Sequence, residues 1–130
     1  MRLLLDTHTF LWYISGDPRL PAAHRDAIRE PANEAFLSVA SVWEIVLKHG
    51  LGRLPLPTPP QAYIPRQREQ HRIESLPLEE AAMAHLAALP KLHRDPFDRI
   101  LVAQALQHDL TIVTADEKIH SYPAKTLPPK

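Results

Sequence analysis

The chain has 130 residues, of which 45 % are hydrophobic and 23 % are charged, and its formal net charge is zero with histidine neutral. These values predict one globular domain over residues 1–130, and the absence of cysteine excludes disulfides and cysteine-ligated zinc. The balanced charge argues against a nucleic-acid binder that works by bulk charge alone, and no apolar stretch is long enough for a membrane span, so we expect a cytoplasmic protein.

Hydrophobic periodicity and turn residues predict strands that alternate with helices. In chain order, the pattern predicts a strand, two helices, a strand, two helices, a strand, two helices, a strand and a short helix: Arg2–Leu5, Thr7–Ile14, Ala22–Arg29, Ala35–Val39, Ser41–His49, Gln61–His71, Ile73–Leu76, Leu78–Leu89, Phe97–His108, Leu110–Val113 and Asp116–His120. This alternation is typical of an α/β fold with a mostly parallel sheet covered by helices on both faces.

Acidic side chains recur at one edge of this predicted sheet. Asp6 directly follows the first strand, Asp116 follows the last, and Glu44 lies in the first turns of the helix after the second strand. Asp95 and Asp98 lie at the start of another helix, three residues apart and therefore on one side of it. Because ligands of parallel sheets bind beyond the carboxyl ends of the strands, the position of these acids favours a binding site.

Each acid also has a purely structural interpretation. Asp95, followed by a proline, is a good helix N-cap, and Ser41 with Glu44 fits a capping box. Asp6 and Asp116 precede helices that they are suited to cap.

As a set, the acids are harder to explain as caps. Carboxylates gathered at one edge repel each other, and such a cluster persists where cations neutralise it. All-oxygen ligands suit Mg²⁺ or Mn²⁺, and such an ion activates water and stabilises charge on a phosphate. The residues alone therefore predict an acidic metal site for phosphodiester hydrolysis.

Four segments that carry these acids resemble the motifs of the PIN domain, and within it of VapC-type toxins. They are LLLDTHTFLW at residues 3–12, SVASVWEIVLKHGLGRLPL at 38–56, HRDPFDRILVAQA at 93–105 and TIVTADEKIHSY at 111–122. The segments occur in the family's order and spacing and span nearly the whole chain. The resemblance implies a three-layer α/β/α sandwich and a Mg²⁺- or Mn²⁺-dependent endoribonuclease.

The resemblance also implies roles for individual acids. Asp6, Glu44, Asp98 and Asp116 match the family's four acids, and Asp95 is an additional acid of this motif version. Asp6 and Asp98 are expected to be the main metal ligands, whereas Glu44 and Asp116 are expected to hold a second ion or orient the water. Asp95 is a ligand, a supporting group or only a cap.

The resemblance further implies partners. We expect an RNA substrate, a homodimer and a cognate antitoxin whose C-terminal segment blocks the acidic pocket. A basic side chain that enters a carboxylate cluster is a physically sensible inhibitor. The implied biological role is that of the toxin in a toxin–antitoxin pair.

Aromatic residues near the acids have two interpretations. Trp12 and Trp43 have the ring surface to stack on bases, but at helical apolar spacing we favour core or interface positions. Phe97 is likewise expected in the core, and His8 and His93 are adjacent to the acids.

Polar neighbours of the acids are also open to two interpretations. Lys48 follows Glu44 by four residues, which suits an ion pair, but contact with the scissile phosphate is an equal alternative. Arg99 is expected to orient its neighbouring acid or to contact RNA. The hydroxyl side chains of Ser38, Ser41, Thr7 and Thr114 either hydrogen-bond the carboxylates or cap helices.

Other functions compete with the nuclease. An aspartyl phosphatase usually needs a second Asp two residues after the first, a position that His8 occupies here. A receiver-like signalling module places its acids differently. A non-catalytic PIN-fold module that binds RNA or protein is the main alternative, and the complete acid set argues against it.

Overall fold

The computed structural model describes residues 1–92 and 94–130, so the expectation for His93 lies outside the described residues. Its strands are β1 (Arg2–Leu5), β2 (Glu34–Ser38), β3 (Ile73–Leu76) and β4 (Thr111–Val113). Its helices are α1 (Thr7–Ser15), α2 (Ala22–Arg29), α3 (Val39–Gly50), α4 (Pro60–His71), α5 (Ala82–Ala88), α6 (Pro96–His108) and α7 (Glu117–His120). Every predicted element is present, most with ends within a residue or two of the prediction.

The four strands form one parallel sheet in the order β3-β2-β1-β4. The chain moves outward from β1 to β2 and β3, and then returns to place β4 on the other side of β1. The direction of winding therefore reverses between β1 and β4, and such a switch point opens a crevice at the carboxyl ends of the strands.

Alternate residues of the central strand face two different apolar cores, as expected for a strand covered on both sides. Leu3 and Leu5 pack with residues of α1, α2, α3 and α4, whereas Leu4 packs with residues of α6 and α7. The three-layer α/β/α architecture is thus confirmed.

A buried polar bond links α6 to the sheet. Gln104 is fully buried, accepts a hydrogen bond from Ser38 Oγ at 2.5 Å and donates one to the Pro77 carbonyl at 3.2 Å. These bonds satisfy the single polar side chain in the buried stretch of α6 and fix the helix against the ends of β2 and β3.

Two local predictions were wrong. The helix predicted over Leu78–Leu89 begins only at Ala82, and the segment before it contacts α6, where Gln107 donates a hydrogen bond to Glu79 Oε1 at 3.3 Å. The cap of α3 is Ser38, whose Oγ accepts from the Ala40 amide at 3.0 Å, so the predicted capping box does not exist. Ser41 instead lies inside the helix.

None of the helices within residues 1–92 and 94–130 is both long enough and apolar enough to cross a membrane.

Candidate functional site

Five carboxyl groups line one small cavity of about 90 Å³ at the carboxyl edge of the sheet. Its lining consists of Asp6, Thr7, His8, Glu44, Lys48, Asp95, Asp98 and Asp116. All five acids predicted as site residues are therefore brought together, and Lys48 is the only Lys or Arg among the lining residues. The lining carries an excess of acidic side chains, so the cavity is suited to a cation.

The register of the sheet explains this convergence. Leu5 of β1 pairs with Leu37 of β2 on one side and with Val113 of β4 on the other. Residues that follow these positions leave the sheet at the same level, beside the crevice between β1 and β4. Asp6 and the segment that carries Asp116 are consequently neighbours although they are far apart in sequence.

Asp6 is buried and held at both carboxylate oxygens. Its Oδ1 accepts a hydrogen bond from the Thr9 amide at 2.7 Å, which caps α1, and its Oδ2 accepts one from Thr114 Oγ1. Thr114 is itself fully buried. The carboxylate is therefore a helix cap and a fixed member of the cavity at once.

Glu44 is buried and held in the same way. Its Oε1 accepts a hydrogen bond from Thr7 Oγ1 at 2.6 Å, and its Oε2 forms an ion pair with Lys48 Nζ at 2.5 Å. The predicted ion pair of Lys48 is confirmed, whereas its contact with a phosphate stays a prediction. The Thr7 and Thr114 bonds confirm that threonines hold the carboxylates.

Asp98 is the acid most affected by the cluster. Burial, followed by repulsion from Asp95, Asp116, Asp6 and Glu44, raises the pKa of Asp98 to about 7. A carboxyl group that shares a low-dielectric site with other carboxylates holds its proton more tightly. This pKa shows that the carboxylates interact electrostatically, and an added cation would favour the ionised form.

The other two acids combine capping with membership of the cavity. Asp95 Oδ1 accepts from the Phe97 amide at 3.0 Å and so caps α6, with Pro96 as the first helical residue. Asp116 Oδ1 accepts from the Lys118 amide at 3.0 Å and caps α7. The structural and functional interpretations of these acids are therefore compatible.

The donor set fits a divalent cation in its chemistry. Carboxylate oxygens in excess, with threonine hydroxyls behind them, are the ligands that Mg²⁺ and Mn²⁺ prefer. Across residues 1–92 and 94–130, however, no three His, Asp or Glu side chains are already arranged around a single ion position. Because Mg²⁺ keeps several waters and takes few carboxylates directly, one or two of these acids would suffice to bind it.

Some residues near the cavity differ from their predicted roles. Phe97 was expected in the core but is only half-buried, and Trp43 packs against it edge-to-face at 5.1 Å; Trp43 is itself 57 % exposed, so of its two predicted positions, core or interface, only the interface stays open. Arg99 donates to the Pro90 carbonyl at 2.8 Å and to Tyr122 Oη at 3.2 Å, so neither bond reaches Asp98. Its contact with RNA stays a prediction.

Sequence comparison places this chain in a known family. The family model described as PIN domain matches residues 3–125, which is nearly the whole chain. The chain belongs to the PIN domain family. Among curated proteins, this PIN domain is 31 % identical to ribonuclease VapC22 of Mycobacterium tuberculosis over 121 residues, which are 92 % of this chain and 91 % of the relative. It is also 35 % identical to ribonuclease VapC16 of the same organism over 75 residues, 55 % of this chain and 53 % of the relative.

Solved structures share the fold. VapBC2 from Rickettsia felis bound to a promoter DNA fragment matches with a TM-score of 0.75 and 16 % identity over 98 % of both chains. DNA-bound VapBC from Salmonella typhimurium matches with a TM-score of 0.70 and 16 % identity over 100 % of this chain and 99 % of that one. The PIN-like fold is thus confirmed, and the chain is related to the VapC ribonuclease toxins of VapBC systems.

The raised pKa of Asp98 predicts a pH-dependent cost to stability in the absence of metal. Between its ordinary value near 3.8 and about 7 the folded state holds the Asp98 proton more tightly than the unfolded state, so the contribution of Asp98 to stability falls as pH rises through this window. In chelator, Asp98→Asn should therefore unfold at a higher temperature than the parent chain at pH 8, and this difference should shrink toward pH 4.

The matched control is Asp109→Asn. Asp109 is at the opposite end of α6, in the left-handed conformation that asparagine tolerates, and the bond from Lys125 lowers the pKa of this carboxyl. That variant should gain nothing at pH 8. If Asp98→Asn unfolded at the same temperature as the parent chain at pH 8, this result would contradict the raised pKa of Asp98.

Proposed function

We propose that this chain is a VapC-type toxin that hydrolyses RNA phosphodiester bonds with Mg²⁺ or Mn²⁺. The observation that carries the proposal is the convergence of the four family-matched acids and Asp95 on one cavity at the switch point of the sheet. The relation to curated VapC ribonucleases over most of the chain supports the same activity. The retained acid set and this relation favour the nuclease over a non-catalytic PIN-fold module.

In this proposal Asp6 and Asp98 are the main metal ligands. A bound divalent ion would stabilise charge on the phosphate and lower the pKa of a water molecule. Thr114 and the Thr9 amide hold the Asp6 carboxylate in one orientation, which reduces the reorganisation needed for binding. Asp98 would release its proton when the ion binds, because the cation offsets the repulsion from its neighbours.

Glu44 and Asp116 complete the proposed site by holding a second ion or by orienting the attacking water. The bonds from Thr7 and Lys48 fix Glu44 at the base of the cavity. Lys48 also places a positive charge beside the phosphate position, where it would offset part of the carboxylate charge. Asp95 is proposed as a supporting group that caps α6 and adds negative charge beside Asp98.

The aspartyl phosphatase is less consistent with the sequence, because His8 occupies the position of the second Asp that such an enzyme usually needs. The hydrogen bonds to both oxygens of Asp6 leave lone pairs free on each oxygen, so these bonds do not distinguish the two activities.

The first test is cleavage of total cellular RNA by the purified chain with Mg²⁺ or Mn²⁺. Asp6→Asn and Asp98→Asn should each lower the rate by about 1,000-fold or more, because they remove ligands of an ion that contributes several kcal/mol. Thr114→Val should lower the rate by about 10- to 100-fold, since it removes the hydrogen bond that orients the Asp6 carboxylate. Cleavage is followed by gel electrophoresis of the RNA fragments.

Asp109→Asn, which leaves the cavity intact, should cleave RNA like the parent chain. Fragments that persist in chelator, or full activity in both Asp6→Asn and Asp98→Asn, would show that the assigned site is not responsible. Circular dichroism of each variant distinguishes lost chemistry from lost fold.

The proposed partner that controls this activity is a cognate antitoxin. Solved proteins with this fold include a toxin–antitoxin complex from Klebsiella pneumoniae, with a TM-score of 0.60 and 18 % identity. The cavity on this chain carries five carboxyl groups and one lysine, so a basic side chain of a partner would form charge-assisted hydrogen bonds there and exclude a metal ion.

We also propose that the chain forms a homodimer through an apolar face of α3. Val39, Trp43, Val46, Leu47 and Leu51 recur at helical spacing and are each between 43 % and 59 % exposed. A continuous apolar row of this kind on the surface of a soluble domain marks an interaction site. The edge-to-face contact of Trp43 with Phe97 extends the α3 face toward α6.

A charge placed in the middle of this α3 face should separate the subunits. Val46→Glu buries an unpaired carboxylate in the proposed interface, so its molar mass in solution should fall from that of two chains to that of one. Gln70→Glu adds the same charge on exposed α4 and should remain dimeric. Light scattering after size-exclusion chromatography measures the mass, and a dimeric Val46→Glu would place the interface elsewhere.

A further inference from the structure

Two aromatic rings lie directly beside the carboxylate cavity. His8 and Trp12 are one turn apart on α1, and their rings are nearly parallel, with an angle of 11° and 5.8 Å between centroids. His8 is exposed and Trp12 is half-buried. The His8–Trp12 ring pair therefore presents the exposed ring of His8, with the ring of Trp12 stacked behind it.

The loop after α1 fixes the inner member of the pair. The guanidinium of Arg19 lies 5.2 Å from the Trp12 ring centroid, within the range of a cation–π contact. Arg19 donates two hydrogen bonds to the Asp17 carboxylate, one from its backbone amide at 2.9 Å and one from its guanidinium at 2.7 Å. Trp12 is thus packed against a charge that is itself anchored, which favours a preformed ring surface.

The ring pair separates the acids from a larger cavity. A space of about 200 Å³ is lined by both rings together with Asp6, Asp116 and Ala115. His8 also lines the 90 Å³ cavity of the acids, and both rings line a cavity of about 550 Å³ whose other walls are mainly apolar. A group bound at the carboxylates is consequently in direct reach of the rings.

We propose that the His8–Trp12 ring pair stacks on a nucleobase of the RNA, in the nucleotide next to the phosphate that is cut. This inference rests on the proposed function, because the carboxylates define where that phosphate would lie. Stacking on aromatic rings accepts every base, since each has a flat π face, and it adds affinity that does not depend on charge. The ring pair is a positioning element for the substrate and takes no part in the bond cleavage.

The balanced charge of the chain favours contact with a nucleobase over contact with the phosphate backbone. A protein with zero net charge and a carboxylate cluster at its site gains little from the phosphate backbone, which usually dominates affinity for nucleic acids. The lining of the 90 Å³ cavity offers a single lysine, and Glu44 already pairs with it. Contacts with bases would therefore add affinity beside the acids.

The kinetic test uses a single-stranded oligoribonucleotide that contains a cleavage site mapped with total RNA. His8→Ala should raise KM about tenfold with little change in kcat, which corresponds to the loss of one stacked base. His8→Phe keeps a ring and should restore the parent KM, and His85→Ala on α5 is the control for loss of a histidine elsewhere. An abasic nucleotide beside the cut should raise KM of the parent chain but add nothing in His8→Ala.

A second measurement does not need cleavage. The chain has two tryptophans, so Trp43→Phe leaves Trp12 as the only tryptophan. This substitution is combined with Asp98→Asn, which removes a proposed metal ligand and so prevents cleavage during the measurement. The oligoribonucleotide should quench Trp12 fluorescence, and its abasic version should quench it less. If the RNA quenched Trp12 fluorescence but the parent chain cleaved no RNA, the stacking proposal would stand and the proposed nuclease function would fail.

Three results would overturn the proposal: an unchanged KM in His8→Ala, equal quenching by intact and abasic RNA, or no quenching at all. An unchanged KM together with weaker inhibition by an antitoxin would assign the ring pair to a protein partner instead.

Discussion

Mutual repulsion among five carboxyl groups is the constraint around which the site is organised. Burial, followed by this repulsion, raises the pKa of Asp98 to about 7, and the repulsion would push the side chains apart if nothing held them. Thr114 and Thr7, together with Lys48 and the amide groups at helix starts, hold Asp6, Glu44 and their neighbours in place. A cation in the 90 Å³ cavity would relieve the repulsion, so metal binding and stability of this site are linked.

The fold supplies the geometry that this chemistry needs. Parallel pairing of Leu5 with Leu37 and Val113 sets three strand ends level, and the reversal of winding between β1 and β4 opens the crevice there. Helices that begin at this edge need N-caps, and carboxylates are good caps. One residue type thus satisfies both local helix formation and the proposed metal site, which is why each acid alone is ambiguous in the sequence.

Most of the fold and the membership of the site could be predicted from the sequence, because both depend on local pattern. Strand and helix periods, and acids placed directly after strands, are visible without tertiary contacts. The failures involve contacts beyond the predicted pattern: the segment before α5 contacts α6, and Ser38 rather than Ser41 caps α3. For Trp43 the sequence could not decide between a core and an interface position, because an apolar helical row has the same spacing whether it faces a core or a partner subunit.

The central claim is that these carboxylates together bind a divalent cation, and equilibrium binding of Mn²⁺ measured by electron paramagnetic resonance tests it most directly. The account predicts binding by the parent chain at neutral pH that competes with Mg²⁺, weakens as pH falls below about 7 and weakens by about 10- to 100-fold in Thr114→Val. Equal Mn²⁺ affinity in the parent chain and in Asp6→Asn/Asp98→Asn would contradict it.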